Sequence, residues 1–312
     1  MGPGPVLVTG GGGFVGANVV RRLLARGASV HLLLKDDADP WRLEGVRDRV
    51  TLHAVDLVDG DSVRRALAKV APASVFHLAT HGAYEHQADA RRILETNVLG
   101  SANLLEAAAA AGTAVFVNAG SSSEYGLKRQ PMREDDRLEP NSVYAVAKAA
   151  QTHLATLFAR RGPMAVATFR LFSVYGPWEE PARLLPTLLR RARAGEPLEM
   201  ASPDTARDFV YVDDVVDALV DVDRVPAASG EVFNLGTGVQ STLRDVVAAV
   251  QAAVGGGSEV RWGAMPARGW DTDRWQADVA KAKAMLGWSA RTTLADGVAR
   301  MAAWMAAAGE RA

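Results

Sequence analysis

The 312-residue chain contains no cysteine, which excludes disulfide bonds, thiolate metal ligands and a cysteine nucleophile. Its formal net charge is only -1, so no global field draws it to nucleic acid or to an anionic membrane. It lacks an apolar run of about 18 residues, the length of a membrane-spanning helix. The amino-terminal stretch also lacks the basic start and long apolar core of a signal peptide. These absences predict a cytoplasmic protein without nucleic-acid or membrane partners.

Short apolar segments alternate with segments of helical periodicity over the first 176 residues. Strands are predicted over 5–10, 29–35, 50–57, 74–80, 114–121 and 166–176, and helices over 11–27, 61–70, 90–112 and 143–162. The strands are nearly continuous apolar runs, as in a parallel sheet covered on both faces. The pattern therefore predicts an α/β protein with a doubly wound parallel sheet.

A glycine-rich turn, TGGGGFVG at 9–16, follows the first predicted strand and opens the first helix. Gly10 permits a tight turn, Gly13 lets backbone amides approach a pyrophosphate, and Gly16 lets the helix pack on the strand. The helix amino terminus then faces the phosphates. The alternative is a plain glycine-rich turn, but its position between strand and helix favours dinucleotide binding.

The end of the second strand bears on the choice between NAD and NADP. An acid there selects NAD by binding the adenosine ribose, whereas this chain has Lys35, followed by Asp36 and Asp37. Lys35 favours NADP (NADPH), with Arg42 as a helper. NAD stays open, because Lys35 is also explained as a solvated residue whose acidic neighbours would repel a phosphate. Asp56, followed by Leu57 at the end of the third strand, suits the adenine amino group.

Three residues suggest hydride-transfer chemistry. Tyr144 and Lys148 are spaced i and i+4 on a predicted helix and share a face. A lysine cation beside a phenol favours the phenolate, which can exchange a proton with a carbinol while a hydride passes to a nicotinamide. Ser121 ends the fifth strand, where ligands of open α/β sheets bind. Tyr-x-x-x-Lys alone also occurs by coincidence on helices, so the prediction depends on the combination.

Motifs along nearly the whole chain resemble those of extended short-chain dehydrogenase/reductases that act on nucleotide-diphosphate sugars. The matching stretches are TGGGGFVG, FHLAT, ETNVLGSANLLEA, SSSEYG, YAVAK, RLFSVYGP, RDFVYVDD and NLGTG. The resemblance implies a Rossmann domain over 1–172 with a return segment near 208–236, and a smaller nucleotide-sugar-binding domain over 173–312. It implies Tyr144 as the acid/base, and Lys148 as holding the nicotinamide ribose. Further implied cofactor contacts are Phe14, Val15, Leu57, Leu78, Ala79, Thr80, Asn97, Ala119, Leu171 and Val174.

The same resemblance implies a substrate site and a homodimer. Arg207 and Arg268 match arginines that contact the substrate diphosphate, and Asp271 matches an acid that reaches the nucleoside ribose. Other expected substrate contacts are His81, Tyr84, Ser122, Ser173 and Arg183. Aligned without a gap, the catalytic hydroxyl is Ser121, and a one-residue gap would make it Ser122. Helices around 90–111 and 144–161 are expected to form the dimer interface.

Departures from the common pattern bear on the reaction. Related 4,6-dehydratases place an Asp–Glu or Ser–Glu pair directly after the catalytic hydroxyl, whereas Ser122 and Ser123 follow Ser121 here. Only a one-residue gap would bring Glu124 to that place. The stretches GSSSEYG and RLFSVYGPWEEPARLLP, the second of which contains Ser173, most resemble reductases and epimerases that make CDP- or GDP-linked deoxysugars. These include the CDP-abequose and CDP-paratose synthases, which reduce 4-keto sugars with NADPH. We therefore predict a nucleotide-sugar 4-ketoreductase of deoxysugar biosynthesis. A 4-epimerase with retained NAD is the alternative, and a 4,6-dehydratase is less favoured.

Two other classes of function fit the sequence less well. A non-catalytic NADP sensor would not need Tyr144 or Lys148, and both are present. A metal enzyme would have to use His77, His81 and His86, which lack the spacing of a ligand set. No metal is therefore predicted.

Overall fold

The structure, a computed structural model, describes residues 4–84, 86–266 and 272–308. The chain divides into two compact units. The first comprises Met1–Gly126, Asp136–Leu171 and Val216–Phe233, and the second Leu127–Asp135, Phe172–Val215 and Asn234–Ala312. The sequence did not indicate that a short excursion, Leu127–Asp135, belongs to the second unit.

Strands and helices alternate in the first half of the chain. The strands are β1 Val6–Thr9, β2 Val30–Leu34, β3 Val50–Ala54, β4 Ser74–His77, β5 Val115–Ser121, β6 Ala165–Leu171, β7 Ser173–Tyr175, β8 Leu198–Met200, β9 Ala206–Arg207, β10 Phe209–Tyr211, β11 Val232–Leu235, β12 Ser241–Thr242 and β13 Val260–Trp262. The helices are α1 Phe14–Ala25, α2 Gly60–Val70, α3 Ala90–Leu94, α4 Gly100–Ala110, α5 Val143–Arg161, α6 Leu184–Arg193, α7 Val212–Leu219, α8 Leu243–Val254, α9 Ala280–Leu286 and α10 Leu294–Ala308.

The main sheet has seven strands in the order β11-β6-β5-β4-β1-β2-β3. Strands β1 to β6 pair with their neighbours in parallel. This order places the reversal of winding between β1 and β4, where ligands of such sheets bind beyond the carboxyl ends of the strands. The predicted doubly wound fold is confirmed.

The predicted helix over 90–112 is interrupted. A π-helical turn, Glu95–Leu99, separates α3 from α4. Such turns occur mostly as single bulges, frequently at functional sites. Here the turn carries Asn97, whose side chain bonds the backbone beyond β4. The predicted strand over 166–176 is likewise interrupted, because β6 ends at Leu171 and β7 begins at Ser173 in the second unit.

Each unit has its own hydrophobic core. In the first, side chains of α2, α4 and α5 pack on the sheet around Leu67, Leu104 and Phe116. In the second, α6, α8 and α10 pack around Leu189, Val246 and Met301. Among the described residues, no helix is both long and apolar enough to cross a membrane.

Candidate active site

The glycine-rich turn forms a cradle that side chains would fill. Gly10 has a φ of +70°, and a Cβ there would lie 2.5 Å from the Ala79 amide nitrogen and the Leu78 carbonyl carbon. A Cβ on Gly16 would lie 2.0 Å from the Gly10 carbonyl oxygen, which also accepts a hydrogen bond of 2.9 Å from the Gly13 amide. Helix α1 begins directly after Gly13 without a side-chain cap or an acid in its first turn. The turn therefore fits a dinucleotide pyrophosphate.

The predicted adenosine end carries a cluster of charges at the ends of β2 and β3. The Lys35 ammonium lies 3.6 Å from an Asp37 oxygen and 3.8 Å from an Asp56 oxygen. Arg92, which the sequence did not single out, donates to Asp56 at 2.7 Å. Burial would raise the pKa of Asp56, but the bonds from Arg92 and the Val58 amide and the nearby cations hold it below its usual value. Asp56 is therefore an anion shared between two cations.

The loop after β4 is held by one amide side chain. Asn97 accepts from the His81 amide at 2.8 Å and donates to the His81 carbonyl at 2.8 Å. The Thr80 hydroxyl lies 3.4 Å from the Asn97 side-chain oxygen Oδ1. The ring of Tyr84 stacks on that of His86 with centroids 5.6 Å apart. Asn97 thus fixes the backbone of the loop that carries the predicted pocket residues His81 and Tyr84.

A buried histidine connects β1 and β4 to the π-helical turn. The Ser101 hydroxyl donates to the Asn97 carbonyl at 2.6 Å, so it accepts from His77 Nε2 at 2.8 Å. His77 Nδ1 then accepts from the Thr9 hydroxyl at 2.7 Å, a tautomer assigned from this network. Burial, followed by the charge of Lys148, lowers the pKa of His77 to about 3, so the ring is neutral. Among the described residues, no group of three or more potential metal ligands occurs.

The predicted catalytic serine caps a short turn at the end of β5. Ser121 Oγ accepts from the Ser123 amide at 3.2 Å, and the Glu124 carboxylate accepts from the Ser121 amide at 2.8 Å. The other Glu124 oxygen accepts from Arg170 Nε at 2.9 Å, and Arg170 also donates to the Tyr125 hydroxyl at 2.9 Å. The side chains of Glu124 and Arg170 are 0% and 3% exposed. This buried ion pair orients the turn that carries Ser121.

Ser121 stands directly beside Leu171 in the register of β5 and β6. Ser122 is buried in the first turn of the 3-10 helix Ser122–Tyr125. The two candidates for the catalytic hydroxyl therefore differ in position: Ser121 caps the 3-10 helix, and Ser122 is its first residue.

Tyr144 lies at the start of α5. The hydroxyl of Ser142 caps the helix by accepting from the Ala145 amide at 3.1 Å, a residue type suited to that position. Tyr144 is half-buried, and a Cβ on Gly82 would lie 3.4 Å from its ring carbon Cδ2. The loop after β4 therefore covers one edge of the phenol.

Lys148, one turn further along α5, is buried against β5. Its ammonium donates to the Ala119 carbonyl and, at 2.8 Å, to the Gln151 side-chain oxygen. Burial lowers the pKa of Lys148 to about 8, opposed by the charge of Glu124. The lysine therefore remains a cation near neutral pH, fixed beside the carboxyl end of the serine-bearing strand.

In the second unit, Arg207 ends β9, which pairs antiparallel with β12. Its guanidinium donates to the Ala206 carbonyl at 2.7 Å and to the Thr272 carbonyl at 3.4 Å. It lies 5.3 Å from the ring centroid of Trp275. Stacking on an aromatic face orients a guanidinium, the group best suited to bidentate phosphate binding.

Asp208, the next residue, organises the loops around Arg207. Its carboxylate accepts from the Thr237 amide and hydroxyl, both at 2.7 Å, from the Gly238 amide at 3.0 Å and from the Ala277 amide at 3.1 Å. Burial raises the pKa of Asp208, and these bonds oppose the rise. The Asp208 carboxylate therefore joins the NLGTG motif to the start of the RDFVYVDD motif. The sequence alone did not indicate this role of Asp208.

The other predicted substrate and cofactor residues of the second unit are more dispersed. Arg183 is exposed and lies 3.8 Å from Glu179. Ser173 and Val174 are on β7, which pairs in parallel with β10. Arg268 and Asp271 lie outside the described residues.

Comparisons with known proteins agree with this architecture. Residues 6–236 match the model of the NAD dependent epimerase/dehydratase family. The UDP-glucose 4-epimerase of Mycolicibacterium smegmatis is 34% identical over 94% of this chain and 96% of that protein. The structure of the Thermotoga maritima UDP-glucose 4-epimerase with UDP-glucose has a TM-score of 0.89, with 27% identity and coverage of 97% of this chain and 99% of that one. The structure of MoeE5 with UDP-glucuronic acid and NAD has a TM-score of 0.85, with 33% identity and coverage of 98% and 100%.

The parallel sheet, glycine cradle and Tyr-Lys pair define an extended short-chain dehydrogenase/reductase. The chain belongs to the NAD dependent epimerase/dehydratase family and is an enzyme of that family. The predicted family is confirmed, whereas the individual site residues stay predictions.

Proposed function

We propose that the protein is a 4-epimerase of a UDP-linked hexose. The observation that carries the proposal is the anchoring of Lys148 beside the end of β5, one helical turn from Tyr144. The epimerases and the epimerase-like fold among its relatives support the substrate class. The glycine turn at 9–16 would hold NAD, and this cofactor would supply reversible hydride transfer at sugar C4, with return to the opposite face of the ring.

The residues of the first unit have distinct tasks in this reaction. Tyr144, as the phenolate, takes the proton of the C4 hydroxyl and later returns it to the C4 oxygen. The cation of Lys148 favours the phenolate form. The hydroxyl of Ser121 donates to the C4 oxygen while that oxygen gains carbonyl character. Because each proton and hydride removed is returned, the net change is inversion at C4.

Glu124 favours epimerisation over loss of water. A dehydratase needs an acid or base free to move protons at neighbouring carbons. One oxygen of Glu124 accepts from the Ser121 amide and the other from Arg170, within a fully buried ion pair. Withdrawing this carboxylate would strand the charge of Arg170 in the interior, at a cost of about 3–5 kcal/mol.

Arg207 of the second unit is proposed to bind the substrate diphosphate. Its stacking on Trp275 and the brace of Asp208 beside it preorganise the guanidinium. Preorganisation reduces the rotamer freedom lost when a phosphate binds. Arg207→Lys would keep the charge but lose the fork, so it is expected to raise KM for the UDP-sugar more than it changes kcat.

The nucleotide carried by the purified protein tests the proposal. We expect denaturation to release stoichiometric NAD, and the native protein to interconvert UDP-glucose and UDP-galactose without added cofactor, followed by chromatography of the nucleotide sugars. UDP-glucuronate would be offered in parallel, since MoeE5 was solved with that ligand. Failure to invert any UDP-hexose would refute the proposal, and inversion of UDP-glucuronate alone would assign the enzyme to UDP-hexuronates instead.

A second candidate is the 4-ketoreductase predicted from sequence, which would consume NADPH. The supporting observation is Lys35, 45% exposed at the end of β2, where an NAD-selecting acid is absent. Against it, Lys35 lies near the carboxylates of Asp37 and Asp56. A protein purified without nucleotide, binding NADPH more tightly than NADH and reducing a 4-keto-6-deoxy nucleotide sugar, would favour this candidate.

The protein is further proposed to be a homodimer. Helices α3 and α5, with the π-helical turn, expose apolar side chains that a second copy would cover: Leu94, Leu99, Val143, Val146 and Leu157. Light scattering should give twice the chain mass, and Val146→Asp should give the monomer mass. A wild-type monomer would refute the dimer.

A further inference from the structure

A chain of buried amides leads from Lys148 into the sheet. Gln151 accepts from the lysine at 2.8 Å and donates to the Asn118 side-chain oxygen at 2.7 Å. Asn118 in turn donates to the Thr168 hydroxyl at 3.1 Å. All four side chains are at most 3% exposed. The chain thus joins α5, β5 and β6 entirely within the first unit.

The polarity of this chain is set by the lysine. An ammonium only donates, so the oxygen of Gln151 must face it and the Gln151 NH2 must face Asn118. That in turn directs the Asn118 NH2 to Thr168. Every amide therefore has one satisfied orientation while Lys148 is charged, and a buried amide left without a partner is destabilising.

Two of the three ammonium donors are occupied in this way. One is directed to Ala119 and one to Gln151, and the described part of the chain supplies no third acceptor. Two fixed donors on a tetrahedral nitrogen determine the direction of the third. The position and direction of the remaining N–H therefore depend on the Ala119 carbonyl and on Gln151 together.

We propose that Gln151, braced by Asn118, is a positioning residue that aims and holds the Lys148 ammonium for the reaction at Tyr144. The catalytic part of this inference rests on the proposed function. Gln151 touches neither sugar nor dinucleotide in this role, since it acts through the lysine. Its removal would leave Tyr144 and Ser121 in place and take away one of the two bonds that hold the ammonium, so that the Ala119 carbonyl holds it alone.

The ionisable groups around Lys148 bear on the direction in which its pKa should shift when Gln151 is replaced. From the turn after β5, Glu124 favours the cation, and it is itself paired with Arg170. From β4, His77 is neutral above pH about 3. On its own helix the neighbouring ionisable group is Tyr144. Loss of the Gln151 acceptor removes a bond to the charged form and should lower the Lys148 pKa, whereas a carboxylate there should raise it.

The experiment compares Gln151→Leu, Gln151→Glu and the control Thr152→Val. Thr152 is similarly buried on the same helix, and its hydroxyl has no partner among the described residues. Its replacement therefore measures the effect of changing a buried side chain of this helix without removing a hydrogen bond to Lys148. The Lys148 pKa is measured by NMR titration of protein labelled at the lysine Cε, with the signal assigned by its absence in Lys148→Met. The pH profile of kcat for UDP-hexose inversion is recorded on the same variants, after thermal melting confirms that each is folded.

We expect Gln151→Leu to lower the Lys148 pKa by about one unit and Gln151→Glu to raise it by a similar amount, with Thr152→Val unchanged. The alkaline limb of the kcat profile should move with these values, at nearly constant KM for the sugar. If Gln151→Leu does not fold, the upward shift in Gln151→Glu decides alone. A Lys148 pKa that stays within about 0.2 units of wild type in every folded Gln151 variant overturns the inference. A shifted pKa in a protein without epimerase activity supports the anchoring and refutes only the proposed function.

Discussion

The contact between Gly16 and Gly10 gives the most direct test of the dinucleotide site. Gly16→Ala would place a Cβ 2.0 Å from the Gly10 carbonyl oxygen and 2.8 Å from its carbonyl carbon. Gly10 has little room to yield toward β4, because a Cβ built on it would already lie 2.5 Å from the backbone of Leu78 and Ala79. To reach ordinary contact, α1 and the turn must therefore separate by roughly 1 Å in a closely packed region.

The separation has two measurable costs. Overpacking of this kind lowers the free energy of unfolding by about 1–3 kcal/mol. A misplacement of about 1 Å can cost about 100-fold in catalytic rate, and a tenfold loss of NAD affinity would correspond to about 1.4 kcal/mol of binding free energy. We expect Gly16→Ala to weaken binding of NAD by at least about tenfold.

Gly12 in the same turn supplies a matched control. A Cβ there would meet only a Leu34 methyl at 3.6 Å and the Pro40 Cα at 3.9 Å, which are ordinary contacts, and its φ is not positive. Gly12→Ala should therefore leave the free energy of unfolding within about 0.5 kcal/mol of wild type. Both variants are assayed by urea denaturation and by calorimetric titration of nucleotide-stripped protein with NAD. The reasoning is refuted if Gly16→Ala binds NAD within twofold of wild type, or if Gly12→Ala loses as much affinity.

Three further predictions concern other parts of the first unit. Arg170→Met should lower the free energy of unfolding by about 3–5 kcal/mol because it strands a buried carboxylate, and adding Glu124→Gln should recover part of that loss in urea denaturation; strictly additive losses would contradict a coupled pair. His77 has a pKa of about 3 in the folded protein and near the usual value of about 6.5 when unfolded, so the unfolded state takes up a proton first and stability should fall as the pH drops from about 6.5 to about 3. Acid denaturation of His77→Gln should lack this loss of stability, and a pH dependence equal to that of wild type would exclude the His77 contribution. Tyr144→Phe should lower kcat by about 10²–10⁴-fold with NAD binding retained, and wild-type turnover in that variant would remove Tyr144 from the mechanism.

Local pattern was sufficient for the fold and for the family. Apolar runs separated by helical periodicity determine which faces must be buried, and this requires a covered parallel sheet. The turn at 9–16 was recognisable because glycine alone tolerates the close approaches found at Gly10 and Gly16. The spacing of Tyr144 and Lys148 likewise follows from helix geometry.

The buried polar partnerships were beyond the reach of local pattern. Glu124 meets Arg170 from 46 positions away, and Asn118 meets Gln151 from 33. Asn118 and His77 each interrupt an apolar strand, a signal that a partner must exist, since buried polar groups are nearly always hydrogen-bonded. That signal does not say which residue the partner is.

The sequence by itself determined a doubly wound sheet with a glycine cradle and placed a phenol and an amine on one helix face, because these depend on periodicity and on the backbone needs of single residues. Tertiary structure alone decided that Glu124 is bound in an ion pair, that Gln151 holds Lys148, and that Leu127–Asp135 joins the second unit. These outcomes depend on which distant segments the fold brings within hydrogen-bond distance, and no spacing along the chain encodes that.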